Sequence, residues 1–401
     1  MTPDVVELLR AGRFAEIREL FTPQLRPLVP ADAIGTAWTA AVAQYGELTE
    51  TGAPVGDQGT IRVPLTFERG RLTLVLQAGP GGLGGLQLAP AEAAEPVAPW
   101  EPPSYADGSR FAEEAVTLDS GPLAVGGTLS VPHGSGPWPA VVLLSGSGAH
   151  DQDETIGRNK PLKDVAWGLA SRGIAVLRFE KVTHAHPQEA RADPGFTMYD
   201  EYAPAALAAV ELLKQREDIG RIHLLGHSLG GTVAPRIAAE EPAVAGLVLM
   251  AGGAQPLHWA AVRQMRHIGS PEGTIAAIAK QAELVDSPDL SPDTPVTELP
   301  FGVPGAYWLD LRGYDAPTTA AALDVPILVL QGARDYQVTV KDDLARWQEK
   351  LADRPQVTVR VYDADNHLFF PGSGPSTPGE YEPVQHVDPE VIADIAGWLT
   401  A

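Results

Sequence analysis

The sequence predicts an α/β chain in which a small α+β unit precedes a larger, mostly parallel, doubly wound sheet. Three observations predict it. Strand-like segments ending near Arg178, Leu225, Met250 and Gln331 are short Val/Ile/Leu runs without polar alternation, the pattern of strands covered on both faces. Helical patterns separate them, which makes the sheet mostly parallel. Ahead of them, from about Ala89 to Gly108, the chain turns to Pro, Ala and Glu, a composition that stays extended and buries little.

In the first unit, Val5, Val6, Leu8, Leu9, Phe14, Ile17 and Leu20 approximate helical spacing, and a second helix is expected over Ala31–Tyr45. Thr60–Phe67 and Arg71–Gln77 alternate apolar with polar residues around Glu68-Arg69-Gly70, a hairpin pattern. Residues 1–90 are expected to form the small domain, 91–108 the linker and 109–401 the large domain. After Phe111 come two strands, then the apolar run Ala140–Leu144, which ends in Ser145-Gly146-Ser147-Gly148. Two intervals break the strand–helix rhythm: Asp151–Asp164, and an insertion over about 255–322. The second is too long for a bare loop and contains the helix-like stretch Thr274–Leu284, so a helical cap over the sheet is expected.

A chain of 401 residues suggests two domains. Its formal charge of -22, from 51 acidic and 29 basic residues, repels phosphate backbones and anionic membrane surfaces, which argues against nucleic acid as a partner. No apolar run approaches the roughly 18 residues that span a bilayer. The first twenty residues carry Asp4, Glu7, Glu16 and Glu19 and lack the layout of a secretion signal, so a cytoplasmic location is expected. With no cysteine in the chain, disulfides, thiolate metal sites and a cysteine nucleophile are excluded.

Gly226-His227-Ser228-Leu229-Gly230 fits G-x-S-x-G, a sharp strand-to-helix turn that projects a serine above a sheet. The pattern arises readily by chance in a chain with 41 glycines, so context decides. Here a strand candidate (Arg221–Leu225) precedes it and a helix candidate (Thr232–Ala239) follows. A serine hydroxyl needs a base, and the base needs a carboxylate to fix its tautomer. Asp335 follows the strand Pro326–Gln331, and His367 follows the strand Val357–Tyr362, so both stand at strand ends and in the order Ser, acid, His. Asp363 and Asp365 are alternative acids, but they share a loop with His367. An oxyanion needs two amide donors. Leu229, directly after the serine, is one candidate; Ser147, with Gly148 next, is the other.

That glycine-rich loop lacks the lysine and the spacing of a phosphate cradle. His150 with Asp151 and Asp153, and His184 with His186, lack a spacing that converges three ligands, so neither a metal nor any other cofactor is expected. Tyr307, Trp308, Tyr314 and Phe369, with His227 beside the serine, are candidates for the substrate pocket, although cap aromatics are equally often core.

With these residues placed, the chain resembles a family of bacterial α/β-hydrolase-fold serine esterases that carry a small cystatin-like N-terminal domain of undefined function. The resemblance spans almost the whole chain. It is densest in Arg158-Asn159-Lys160-Pro161-Leu162-Lys163-Asp164, in Gln331-Gly332-Ala333-Arg334-Asp335-Tyr336-Gln337-Val338, in Asn366-His367-Leu368-Phe369, in Ser376-Thr377-Pro378-Gly379-Glu380-Tyr381 and in His386-Val387-Asp388-Pro389-Glu390. It implies an α/β-hydrolase fold and hydrolysis of carboxylic esters, with a triad on Ser228, Asp335 and His367. The chain departs where the family reads G-S-G-P-x-D-R-D-E and R-Y-D-K-R-T: Ala149 replaces the proline, Gln152 and Val182 replace arginines. A lost arginine removes a bidentate anion contact.

Three functions follow as expectations. The first is hydrolysis of a small-molecule ester, thioester or lactone through an acyl-enzyme on Ser228. The second, motivated by Gln152 and Val182, is an acyl-transfer, cyclising or other bond-forming enzyme of specialised metabolism. The third is a binding module with a vestigial triad, which a complete set of triad and oxyanion positions disfavours.

Overall fold

The computed structural model describes every residue except Met1, Gln24, Pro27, Leu28, Gln58, Gly59, Pro80 and residues 91–99. The chain divides between Pro99 and Trp100 into two units. The first half of the expected linker, 91–99, lies outside the described residues. Its second half is not linker: Trp100 donates its indole N–H to Asp164 at 2.9 Å and meets Trp167 edge-on, so from residue 100 the chain belongs to the second unit.

The N-terminal unit consists of helices α1 (Thr2–Arg10), α2 (Phe14–Glu19) and α3 (Ala31–Tyr45) and strands β1 (Leu48–Thr51), β2 (Val55–Asp57), β3 (Thr60–Phe67), β4 (Gly70–Gly79) and β5 (Gly82–Pro90). The single helix expected over Val5 to Leu20 is broken, because Gly12 turns left-handed at φ 67°. In α3, Ile34, Trp38 and Ala41 are buried at helical spacing. They share a core with the inward residues of the β3–β4 hairpin, Val63, Leu65 and Phe67 opposite Leu74, Leu72 and Gly70. Strand β5 has no clear signal in the sequence because glycines interrupt it; a Cβ on Gly82 would stand 2.6 Å from the Leu20 carbonyl oxygen, so the glycine is what permits that approach.

The second unit is built on an eight-stranded sheet of β6 (Phe111–Leu118), β7 (Val125–Pro132), β8 (Trp138–Leu144), β9 (Ala175–Phe179), β10 (Ile219–His227), β11 (Val244–Met250), β12 (Ile327–Gly332) and β13 (Val357–Tyr362), in the order β13-β12-β11-β10-β8-β9-β7-β6. Strands β8 to β13 pair in parallel, and β7 runs antiparallel to β9 and β6. Helices α4 (Pro161–Ala170), α5 (Val182–Ala185), α6 (Pro187–Ala192), α7 (Met198–Lys214), α8 (Leu229–Glu240), α9 (Leu257–His267), α10 (Glu272–Asp286), α11 (Gly305–Arg312), α12 (Ala316–Ala321), α13 (Ala345–Lys350) and α14 (Pro389–Leu399) complete it. Alternate strand residues feed two cores, one on each face: Val142 and Leu144 face one, Val141 and Leu143 the other. Strand β8 pairs with β9 on one side and β10 on the other, so the strand order reverses there, and the carboxyl ends of β8 and β10 open a crevice.

Residues 255–322 supply α9 to α12. Helices α9 and α10 pack on each other, with Val262, Ile275 and Ala282 in a small core of their own. The insertion is not all cap, since Ala316 and Ala320 of α12 are buried in the main core against α8. Among the described residues no helix is long and apolar enough to cross a membrane.

Candidate active site

Ser228 sits between the end of β10 and the start of α8 with φ 53° and ψ -119°, a conformation that a non-glycine residue holds only under constraint. Its neighbours impose the constraint. Its N–H donates to the Met250 carbonyl at 2.9 Å. A Cβ on Gly226 would lie 2.2 Å from the Gly230 oxygen, and one on Gly230 would lie 2.3 Å from the Leu144 oxygen. The two glycines of G-x-S-x-G are therefore required by backbone contact.

Asp335 and His367 arrive from the ends of β12 and β13. The Asp335 carboxylate meets His367 Nδ1 at 2.7 Å through Oδ2, while Oδ1 accepts from the backbone N–H groups of Gln337 (2.7 Å) and Val338 (2.9 Å). Both side chains are buried. Asp363 is exposed. Asp365 is buried, but neither of its carboxylate oxygens has a hydrogen-bond partner among the described residues. Geometry thus separates the three candidate acids.

Burial, with Asp388 and Glu390 nearby and Arg334 opposing, pushes the Asp365 carboxyl up to about 7. In the unfolded chain it ionises near 3.9. The native state therefore holds the proton more tightly, so stability is full below about pH 4 and is lost as pH rises through about 7. Asp365→Asn is expected to stabilise the fold by about 2–4 kcal/mol at pH 8.5, at roughly 1.4 kcal/mol per unit, and to change little at pH 4. Thermal melts at the two pH values check this; equal effects at both would refute it.

The oxyanion candidates lie beside the serine. Ser147 and Leu229 line two cavities, of about 340 and 570 Å³, that meet at them, whereas Gly148 lines only the larger. Gly146, whose added Cβ would lie 3.2 Å from the Ser228 Cβ, gives its own N–H to Glu154 Oε1 at 2.7 Å. With a carboxylate bound to this loop, a phosphate would meet repulsion there.

His227 is not a pocket residue. It is buried, with Nδ1 2.9 Å from Glu154 Oε1 and Nε2 2.9 Å from the His367 carbonyl oxygen. Burial alone would raise Glu154 and lower His227, but each reverses the other's shift, so Glu154 ends below and His227 above its ordinary value. The pair ties together the loop 145–148, the elbow and the His367 loop. Phe369 is also not in the pocket: its positive φ of 58° turns the ring into the opposite core, edge-on to Tyr362. Tyr307 and Trp308 do line the larger cavity, and Tyr314 the smaller.

The candidate metal ligands are engaged within the protein. His150 Nε2 lies 2.8 Å from the Ser147 oxygen, Asp153 pairs with Lys160 and Arg178, His184 contacts the Ala149 oxygen and His186 the Ala124 oxygen. Asp151 accepts from the backbone N–H groups of Asp153 and Thr155. The motif around Asn159 has a bracing role as well: Asn159 donates to the Tyr381 and Pro383 carbonyls and accepts from Gln385, and Glu380 holds Asn366 beside His367.

Glu154, Lys181, Glu201 and Phe301 escaped the sequence reading. Glu154 and Lys181 do match the family pattern within the two segments where the chain otherwise departs from it, but no spacing rule marks a charged residue as buried.

A profile described as the alpha/beta hydrolase family matches residues 133–381. Esterase EstD of Thermotoga maritima is 35% identical over 403 residues, covering 98% of this chain and 93% of that protein. Among solved structures, Est1E from Butyrivibrio proteoclasticus aligns with a TM-score of 0.47 at 15% identity, covering 71% of this chain and 98% of that one. Proline iminopeptidase from Mycobacterium smegmatis aligns with a TM-score of 0.46 at 18% identity, covering 72% and 98%. With its elbow serine on a parallel sheet and the family match extending over most of its length, the chain belongs to the alpha/beta hydrolase family.

Proposed function

We propose that this protein hydrolyses carboxylic esters through an acyl-enzyme on Ser228. The observation that carries the reading is the 2.7 Å hydrogen bond between His367 Nδ1 and the Asp335 carboxylate, past the carboxyl ends of strands parallel to β10, which ends in a strained serine elbow. Asp335 fixes the tautomer that leaves His367 Nε2 free to take the Ser228 proton as Oγ attacks the ester carbonyl. The Ser147 and Leu229 amides receive the oxyanion. His367 then gives its proton to the departing alcohol, and water, deprotonated by His367, releases the acid. The relative that is an esterase by name, at 35% identity over nearly the whole chain, supports the same reaction class.

The two cavities give the substrate two ends. The larger is walled by Ala190, Phe196, Leu257, Val303, Tyr307 and Trp308 and suits an apolar acyl group. The smaller presents Gln255, Gln264, Gln337 and Thr232 beside paired charges, and suits a polar alcohol. Among the described residues lining them neither Gln152 nor Val182 occurs, and Val182 packs in the core. The changes that motivated a bond-forming reaction therefore do not reach the reacting groups.

Incubation with a fluorophosphonate should label Ser228, and product analysis in water with added alcohols or amines should return the free acid as the main product. Absence of labelling, or acyl transfer outrunning hydrolysis, would overturn the reading. Phe301 is the residue expected to set selectivity. It is 60% exposed, holds φ 59°, lines both cavities and stacks on Trp308. Phe301→Ala is expected to change relative kcat/KM between short and long acyl esters by about tenfold, the scale of one pocket contact. An unchanged ratio would remove Phe301 from the pocket. Trp308 is a poorer probe, because it is fully buried in the cap core and its loss would cost about 3–5 kcal/mol.

A further inference from the structure

Lys181, just after β9, is fully buried, and so is most of what it touches. Its ammonium lies 3.0 Å from Glu201 Oε1, 2.8 Å from the Tyr202 hydroxyl and 3.0 Å from the Gly146 carbonyl oxygen. The Tyr202 hydroxyl also donates to the Gly146 oxygen, at 2.8 Å. Glu201 is held in turn by Thr183 Oγ1 at 2.9 Å and the Tyr307 hydroxyl at 2.6 Å. A buried ion pair is a poor source of stability, since desolvation offsets the attraction. Its role is better sought in what it grips.

That object is one peptide. The Gly146 carbonyl and the Ser147 N–H belong to the same planar trans unit and point in opposite directions. With the oxygen fixed by two donors on one side, the N–H is directed to the other. The preceding amide is pinned as well, by Glu154 on the Gly146 N–H, so the peptide cannot flip without breaking these contacts. An ammonium on the oxygen also draws electron density from the amide and strengthens its N–H as a donor.

We propose that Lys181, together with Tyr202, is a positioning residue of the reaction, which aims and polarises the Ser147 N–H toward the tetrahedral oxyanion by holding the Gly146 carbonyl. The proposal rests on the acyl-enzyme reading above. It makes the oxyanion hole a product of the tertiary contact between the β8 loop, the β9 end and α7.

Lys181→Met alone would strand the Glu201 carboxylate, so the double variant Lys181→Met/Glu201→Gln is paired with Tyr202→Phe. Turnover is normalised to sites titrated by a fluorophosphonate, and the affinity of an alkyl boronic acid, which forms a tetrahedral adduct on Ser228, is measured beside kcat and KM. The double variant is expected to lose about 10²-fold in kcat, the scale of one oxyanion donor, with KM within threefold and boronate affinity falling in step with kcat. Tyr202→Phe should lose about fivefold in the same pattern. A purely structural role would lower the melting temperature and the titrated fraction while leaving kcat per site unchanged, and that result overturns the proposal. Should the double variant fail to fold, an unchanged kcat per site in Tyr202→Phe overturns it alone. Turnover surviving in Ser228→Ala would instead bring down the acyl-enzyme reading; an inactive Ser228→Ala beside fully active Lys181 and Tyr202 variants brings down only this proposal.

Discussion

Ser228→Ala is expected to lower kcat by about 10⁴–10⁶ while leaving the thermal melt unchanged, because triad members act as one unit and the alanine removes only the nucleophile. The serine's structural contact, its N–H to the Met250 carbonyl, is made by the backbone and survives. His367→Ala should be as harmful. Asp335→Asn should cost about 10⁴ for a more specific reason. Asp335 accepts on both sides, from two backbone amides through Oδ1 and from His367 through Oδ2. An asparagine amide can accept on one side only. Keeping the two backbone bonds turns its NH₂ toward His367 Nδ1 and selects the wrong tautomer. Steady-state kinetics on one chromogenic ester checks all three, and a Ser228→Ala variant that kept a tenth of wild-type turnover would refute the mechanism.

Gly230→Ala is expected to prevent folding, or to lower stability by about 3 kcal/mol or more. Its Cβ would lie 2.3 Å from the Leu144 oxygen and 2.7 Å from the Ser145 oxygen. Overpacking a core costs about 1–3 kcal/mol when side chains can shift, but here both obstacles are backbone, at the end of a central strand and the root of the oxyanion loop. Against a total stability of about 5–15 kcal/mol this is a large loss. Gly226→Ala, 2.2 Å from the Gly230 oxygen, should behave alike. Gly273→Ala is the control: in α10, with nothing within 4 Å of the added Cβ, it should be neutral or stabilise by up to about 1 kcal/mol. Soluble yield and thermal melts of the three variants provide the test, and a Gly230→Ala protein melting like wild type would contradict the packing described at the elbow.

Several features of this protein are legible from residues a few positions apart. Apolar runs such as Ala140–Leu144 and the helix Ala31–Tyr45 carry their own periodicity, which local backbone geometry converts directly into strand and helix. G-x-S-x-G is legible for the same reason, since two glycines and a serine spaced by one residue are what a strand-to-helix elbow sterically demands. The order Ser228, Asp335, His367 follows once the parallel strands are placed, because each residue stands just past a strand end.

What the sequence could not supply is the consequence of segments meeting across the fold. The break at Gly12 and the strand β5 depend on a left-handed turn and on a close approach to Leu20, neither of which periodicity encodes. His227 and Phe369 lie close to site residues in sequence, yet the His227 ring is held by Glu154 and the His367 carbonyl, and Phe369 packs in the far core. The burial of Glu154, Lys181, Glu201 and Asp365 was equally hidden. A charged residue reads as solvated until partners from distant segments surround it, and for Lys181 those partners come from β8's loop and α7. By itself the sequence determined the sheet, the elbow and the placing of Ser228, Asp335 and His367 just past strand ends, because these follow from local sterics and strand order. Only the tertiary structure decided which charges lie buried behind the loop 145–148 and which aromatics line the cavities beside Ser228, because burial is a property of the assembled fold.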